Sequence, residues 1–197
     1  FIVKIFHNYF LILIIMKTSY KGKILISTPD LSKDIFSRSV ILIIEHNEHG
    51  AFGLILNKLN QFLTDEIQKK VGEYLEVYEG GPVENNKILA IVKGEPTTEY
   101  YMKIDQDFYV TEDVEMIISD FIEGKFSETQ IKFFSGYSGW SPEQLETEIK
   151  NKFWTIVDSY QMDYTVPNTL DLWKKIMQNL GGDYLLWANS PKDISLN

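Results

Sequence analysis

The sequence predicts a mixed α+β protein in one domain, and three observations carry that prediction. Short isoleucine-rich runs of strand length alternate with capped helical segments, in an order that is not a regular βαβ repeat. No Ser/Gly/Pro-rich linker, low-complexity tract or internal repeat divides the chain. Its 197 residues are 44% hydrophobic, which suffices for a core within the usual size of a single domain.

The elements follow in order. Lys23–Ser27, Ser39–Glu45 and Ala51–Asn57 read as buried strands because their apolar residues are continuous, and His46 to Gly50 between the last two suits a hairpin turn. Weaker strands are expected at Lys87–Val92, Tyr101–Ile104, Phe108–Thr111, Ile131–Tyr137 and Phe153–Asp158. Helices are announced by their starts: Thr64 before Asp65 and Glu66, Thr111 before a run to Ile122 ended by Gly124, and Pro167-Asn168 before a run to Leu180 ended by Gly181 and Gly182. The clearest start is Ser141-Pro142-Glu143-Gln144. Its Ser cap, first-turn Pro and Gln three residues on form a capping box. Leu145 and Ile149 then share a buried face.

Residues Phe1 to Ile15 differ from the rest, being almost wholly Phe, Ile, Leu, Tyr, Asn and Lys, and the first methionine is Met16. The apolar run Tyr9–Met16 falls short of the about 20 residues of a membrane span. No A-x-A-like cleavage site follows it at Lys17 to Tyr20. These residue types have AT-rich codons, so residues 1–15 are read as a mis-called, untranslated extension and 16–197 as the domain. Without Lys4 the net charge of −9 becomes −10. No membrane association is expected.

Composition removes whole classes of function. The absence of cysteine excludes disulfides, iron–sulfur clusters, thiolate zinc sites and cysteine nucleophiles, and it points to a reducing, cytoplasmic compartment. Asp and Glu number 28 against 19 Lys and Arg, a balance that disfavours capture of a phosphate backbone, so nucleic acid is not an expected partner.

Few residues remain to carry chemistry. Glu45, His46, Glu48 and His49 are the densest set of metal-capable side chains, but their spacing matches no metal motif and a solvated turn explains them, so no metal or cofactor is expected. Gly80-Gly81-Pro82 lacks the lysine of a phosphate loop and reads as a tight turn or a close backbone approach. Ser135 to Ser141 runs from a strand end into the capped helix, where free N–H groups suit an anion, although Glu143 already occupies that first turn. Ser138 as a nucleophile has Gly136 two residues before it, but the second glycine of a Gly-x-Ser-x-Gly elbow comes one position early, at Gly139, and only His46 is available as base. Arg38, near Asp30 and Asp34, suits ordinary pairing with a carboxylate.

Taken together, Gly22 to Leu31, Phe36 to Val40, Glu45-His46, Gly50 to Asn57, Gly80 to Val83, Gly136 to Trp140 and Gln144 to Glu146 resemble the bacterial YqgE/AlgH family, in order, from about Gly22 to Gly182. The family usually has proline where Leu59 stands, alanine where Ser138 stands, and glycines where Ser141 and Glu143 stand. Alanine in place of Ser138 argues against a required hydroxyl. The resemblance implies a bifurcated, mixed and mostly antiparallel sheet wrapped by helices, and a family without an established activity, some members of which are labelled transcriptional regulators. No basic recognition helix supports that label here.

The expected site is a cleft of His46, Asn57, Gly80, Gly81, Pro82, Gly136, Tyr137, Gly139, Trp140 and Gln144, serving an unknown small ligand or protein in a binding module with a regulatory role. The ordinary alternative is that these residues only shape turns. Two rivals are a metal- or histidine-assisted hydrolase using His46 with Asp30 or Glu45, and a DNA-binding regulator, which the charge disfavours.

Overall fold

The computed structural model describes residues 19–31, 35–159, 162–167 and 171–190. The expectation for residues 1–15, the helix start at Asn168 and Asp34 lie outside them. The strands are β1 (Lys23–Ser27), β2 (Val40–Asn47), β3 (Gly50–Ile55), β4 (Val77–Glu79), β5 (Val83–Lys93), β6 (Tyr101–Lys103), β7 (Phe108–Thr111), β8 (Ile131–Trp140) and β9 (Trp154–Asp158). The α-helices are α1 (Gln61–Val71), α2 (Val114–Ile122), α3 (Gln144–Lys150), α4 (Asp171–Leu180) and α5 (Tyr184–Asn189). The result is a mixed α+β domain.

The strands form one sheet in the order β6-β7-β5-β8-β3-β2-β1-β9, and β4 joins it off this path. β8 is the trunk where the sheet forks. One edge of β8 pairs antiparallel with β5, with an irregularity between Val83 and Ile88. On the other edge, Phe133 to Ser135 pair in parallel with β4, while Ser138 to Trp140 pair antiparallel with β3.

Side-chain alternation along β1 explains why its whole run is apolar, since both of its faces are covered. Ile24 and Ile26 join a core with Leu42, Leu54, Trp173 and Met177, so α4 covers that face. Leu25 joins Ile41, Ile43, Trp140, Leu145 and Trp154, so α3 covers the other. A third cluster around Val77, Ala90, Ile117 and Phe133 lies under α2. Full burial of Trp173 and Met177 contributes about 2–3 kcal/mol each, and the Trp173 indole donates to the Ser27 carbonyl at 2.8 Å.

Several expected boundaries move, each for a physical reason. The first hairpin turn is only Glu48-His49, because His46 and Asn47 continue β2. α1 begins at Gln61, where Asn60 caps the Leu63 N–H. Thr64 is instead a buried helical residue whose hydroxyl donates to the Asn60 carbonyl and accepts from the Val77 N–H, tying α1 to β4. Thr111 ends β7, its hydroxyl accepting the Asp113 N–H just before α2. The strand expected to end at Tyr137 continues through Ser138 and Gly139 to Trp140, where a loop into the helix was expected. α3 starts only at Gln144, after Glu143 at φ 64°. Gln144 Oε1 still accepts from the Ser141 N–H and hydroxyl, so one arm of the expected box forms. β4 and α5 had no clear sequence signal.

Candidate functional site

The fork is built by glycines. Gly80 donates its N–H to the Ser135 carbonyl at 2.9 Å, and its own carbonyl accepts from the Ile55 N–H at 3.0 Å and from the Ser138 hydroxyl at 3.1 Å. This stitches the β4 end to both β8 and β3. A Cβ on Gly80 would sit 2.1 Å from the Gly136 carbonyl oxygen, and one on Gly136 2.6 Å from that of Gly81. Gly136 also has φ 64°, which L-residues other than glycine rarely adopt. Two backbones therefore cross at contact distance. Ser138, buried, is a strut of this crossing and presents no nucleophile.

Beside the crossing lies a groove of about 490 Å³. Gly81, Pro82 and Ser135 border it, and Glu79, Asn85 and Asn86 supply polar groups. Two strongly exposed apolar side chains, Ile35 at 59% and Phe62 at 73%, line it as well.

The ten expected site residues divide among four places. Gly80, Gly81, Pro82, Gly136 and Tyr137 meet at the fork, Tyr137 packing edge-on to Phe52 at 5.1 Å. Gly139, opposite Phe52, leads away from it. His46, Trp140 and Gln144 gather at the far end of β8, where Ala51 pairs with both His46 and Trp140. Asn57 is buried behind β2, its Oδ1 accepting from the Val40 N–H and its Nδ2 donating to the Arg38 carbonyl, both at 2.9 Å.

His46 is not the solvated turn residue the sequence suggested. It is 8% exposed, and Nδ1 accepts the Tyr20 N–H at 3.0 Å. The ring proton therefore sits on Nε2, which lies 3.3 Å from a Glu146 carboxylate oxygen. Tyr20 stacks on the imidazole at 5.1 Å. Such a histidine has no lone pair to offer as a general base. Its hydrolase partners are also misplaced: Glu45 is held by the Asn47 amide at 2.8 Å, and Asp30 follows the Ser27 end of β1 whereas β2 carries His46 past the Lys23 end. Among the described residues, no group of three or more His, Asp or Glu could hold a metal ion. Arg38 donates to the Ser190 carbonyl at 2.7 Å and lies over the Trp173 ring.

Two arrangements escaped the sequence reading. Glu148 Oε2 accepts both buried indoles, from Trp140 at 2.8 Å and from Trp154 at 2.7 Å. Lys132 is 2% exposed and lines a second cavity of about 300 Å³ with Tyr78, Glu76 and Thr165. Alternation would have revealed it, since Lys132 and Phe134 occupy the same face of β8. No described helix is long and apolar enough to cross a membrane.

Comparison with known proteins agrees with this fold. The sequence model described as DUF179, AlgH-like, matches residues 24–185. A UPF0301 protein of Cytophaga hutchinsonii is 36% identical over 183 residues, covering 90% of this chain and 98% of that one. A UPF0301 protein of Chlamydia felis is 33% identical over 182 residues, covering 90% and 95%. The solution structure of the AlgH protein from Pseudomonas aeruginosa superposes with a TM-score of 0.69 at 20% identity, covering 89% and 96%. A crystal structure of a Corynebacterium diphtheriae protein does so with 0.67 at 24%, covering 86% and 91%. At those identities the two structures speak to the fold alone. A family model spanning most of the chain, relatives above 30% identity and a shared fold lead to one conclusion: the chain belongs to the AlgH-like family.

Proposed function

We propose that the protein is a cytoplasmic binding module with a regulatory role, whose fork groove takes a small uncharged polar ligand carrying an apolar part. The groove itself carries this reading. It combines about 490 Å³ of space with three carboxamides, those of Asn60, Asn85 and Asn86, and two exposed apolar side chains over a backbone crossing that cannot tolerate side chains. Carboxamides donate and accept, so they suit amide or hydroxyl groups, and Glu79 on the same wall repels anions. Pockets of this make, mostly apolar with a few placed polar groups, are ordinary small-molecule sites. The ring nitrogens of His46, both turned toward fixed neighbours, support binding over histidine-assisted hydrolysis.

The test is a titration of ¹⁵N-labelled protein with uncharged amide-bearing fragments. The amides of Gly81, Asn85, Asn86 and Ser135 should shift together and saturably. Phe62→Ala, a substitution at the surface, should weaken binding about tenfold, the equivalent of ~1.4 kcal/mol of lost contact. Shifts that never include these four amides would sink the reading.

A further inference from the structure

We propose that the cavity beside Lys132 is a second binding site, separate from the fork groove, and that it takes a small monocarboxylate with an apolar body. The amine is the starting point. Lys132 Nζ donates to the Leu56 carbonyl at 2.9 Å and to the Val166 carbonyl at 3.1 Å, and it stands 3.9 Å over the Tyr78 ring. All three partners are uncharged. None of the ion pairs among the described residues includes Lys132. Buried charges are ordinarily paired, because leaving a desolvated ion without a counter-ion is costly. Among the described residues this buried ammonium has none.

The cavity is placed to supply one. Tyr78, whose ring faces the amine, borders it, and so do Thr165 and Pro167 on either side of Val166. The amine's third N–H points at a ring face, the weakest of its three interactions, and a carboxylate entering from the cavity would take that N–H instead. Leu75, Ile131 and Phe133 supply apolar wall for the rest of the ligand.

The charged neighbours set the ligand's charge. Glu76 and Glu128 border the cavity, so a dianion would be repelled. Glu76 is already engaged by the Tyr78 hydroxyl at 2.6 Å, and Asp163 by Lys93 at 2.6 Å. Neither neutralises Lys132, although both favour its charged form at longer range. Burial holds the amine down to about 7, so the empty site loses its proton near neutrality and a bound carboxylate would restore it. Affinity should therefore fall as pH rises above 7.

Benzoate is the probe and benzamide its uncharged isostere, each titrated into the full chain at pH 6.5 and 8.5 with saturation-transfer NMR and calorimetry. Benzoate should bind at pH 6.5, at least about tenfold more weakly at pH 8.5, and show NOEs from its ring to Tyr78. Benzamide, whose chemistry suits the fork groove, should show no NOEs to Tyr78, and folded Lys132→Met should lose benzoate binding while Phe62→Ala retains it. Equal NOEs from benzamide to Tyr78, benzoate affinity independent of pH, survival of binding in Lys132→Met, or no benzoate binding overturns the proposal. If Lys132→Met does not fold, the wild-type pH series and the NOEs decide alone. Because Phe62→Ala probes only the fork groove, failure at one site is distinguishable from failure at the other.

Discussion

Ser138 gives its hydroxyl to the Gly80 carbonyl, which also accepts the Ile55 N–H, so Ser138→Ala removes one of two partners. The loss should be about 1 kcal/mol, read as a lower urea midpoint with an unchanged slope. Gly136 and Gly72 make a sharper pair. Both have positive φ, 64° and 83°, but a side chain at Gly72 meets nothing within 4 Å whereas one at Gly136 strikes two carbonyl oxygens. Gly72→Ala should cost about 1 kcal/mol from backbone conformation alone, and Gly136→Ala at least about 3 kcal/mol. Equal losses in urea denaturation would show that the crossing yields. Part of this was legible beforehand: the two glycines and the proline of Gly80-Gly81-Pro82 announced a close backbone approach. The partners were not, because a sequence does not say which two glycine segments will meet.

At the scale of elements, the misread segment is the informative one. Gly136 to Trp140 carries two glycines in five residues and resembles a loop leaving a strand that ends at Tyr137, yet β8, the trunk of the sheet, runs through to Trp140. Glycine within a strand marks the approach of another backbone, and that reading needs the fork already in view. The cap of α1 shifted for a comparable reason. Thr64 has a capping residue's chemistry but spends it on β4, a strand with no sequence signal of its own. α3 depends on Glu148, whose carboxylate gathers the indoles of β8 and β9. Glu148→Gln keeps the shape but removes the charge. Stability should fall by about 1–3 kcal/mol, with a shift in tryptophan emission as the indoles change environment. Unchanged stability and emission would mean that packing of Leu145 and Ile149 alone seats the helix.

At the scale of the whole molecule, Lys132 leaves a pH signature. Burial lowers its amine from 10.5 to about 7. Between those values the unfolded chain holds a proton that the folded chain does not, so stability rises with pH, by up to about 1.4 kcal/mol per unit. Below pH 7 the full burden of burying the charge is present. Urea midpoints at pH 7, 8 and 9 should therefore climb in the wild type relative to Lys132→Met, and parallel curves would show that the amine stays charged throughout. The α+β class, the covered double-faced strands and the acidic balance were all readable from composition and periodicity. The two cavities were not, since each is walled by residues brought together from several strands and connecting segments distant in sequence. The most direct test of function is a crystal structure of the protein soaked with the fragments that shift its amides. Fragment density between Pro82, Asn86 and Phe62 would confirm the fork as the binding site. Well-ordered fragments found only elsewhere, with the fork groove filled by solvent, would contradict it.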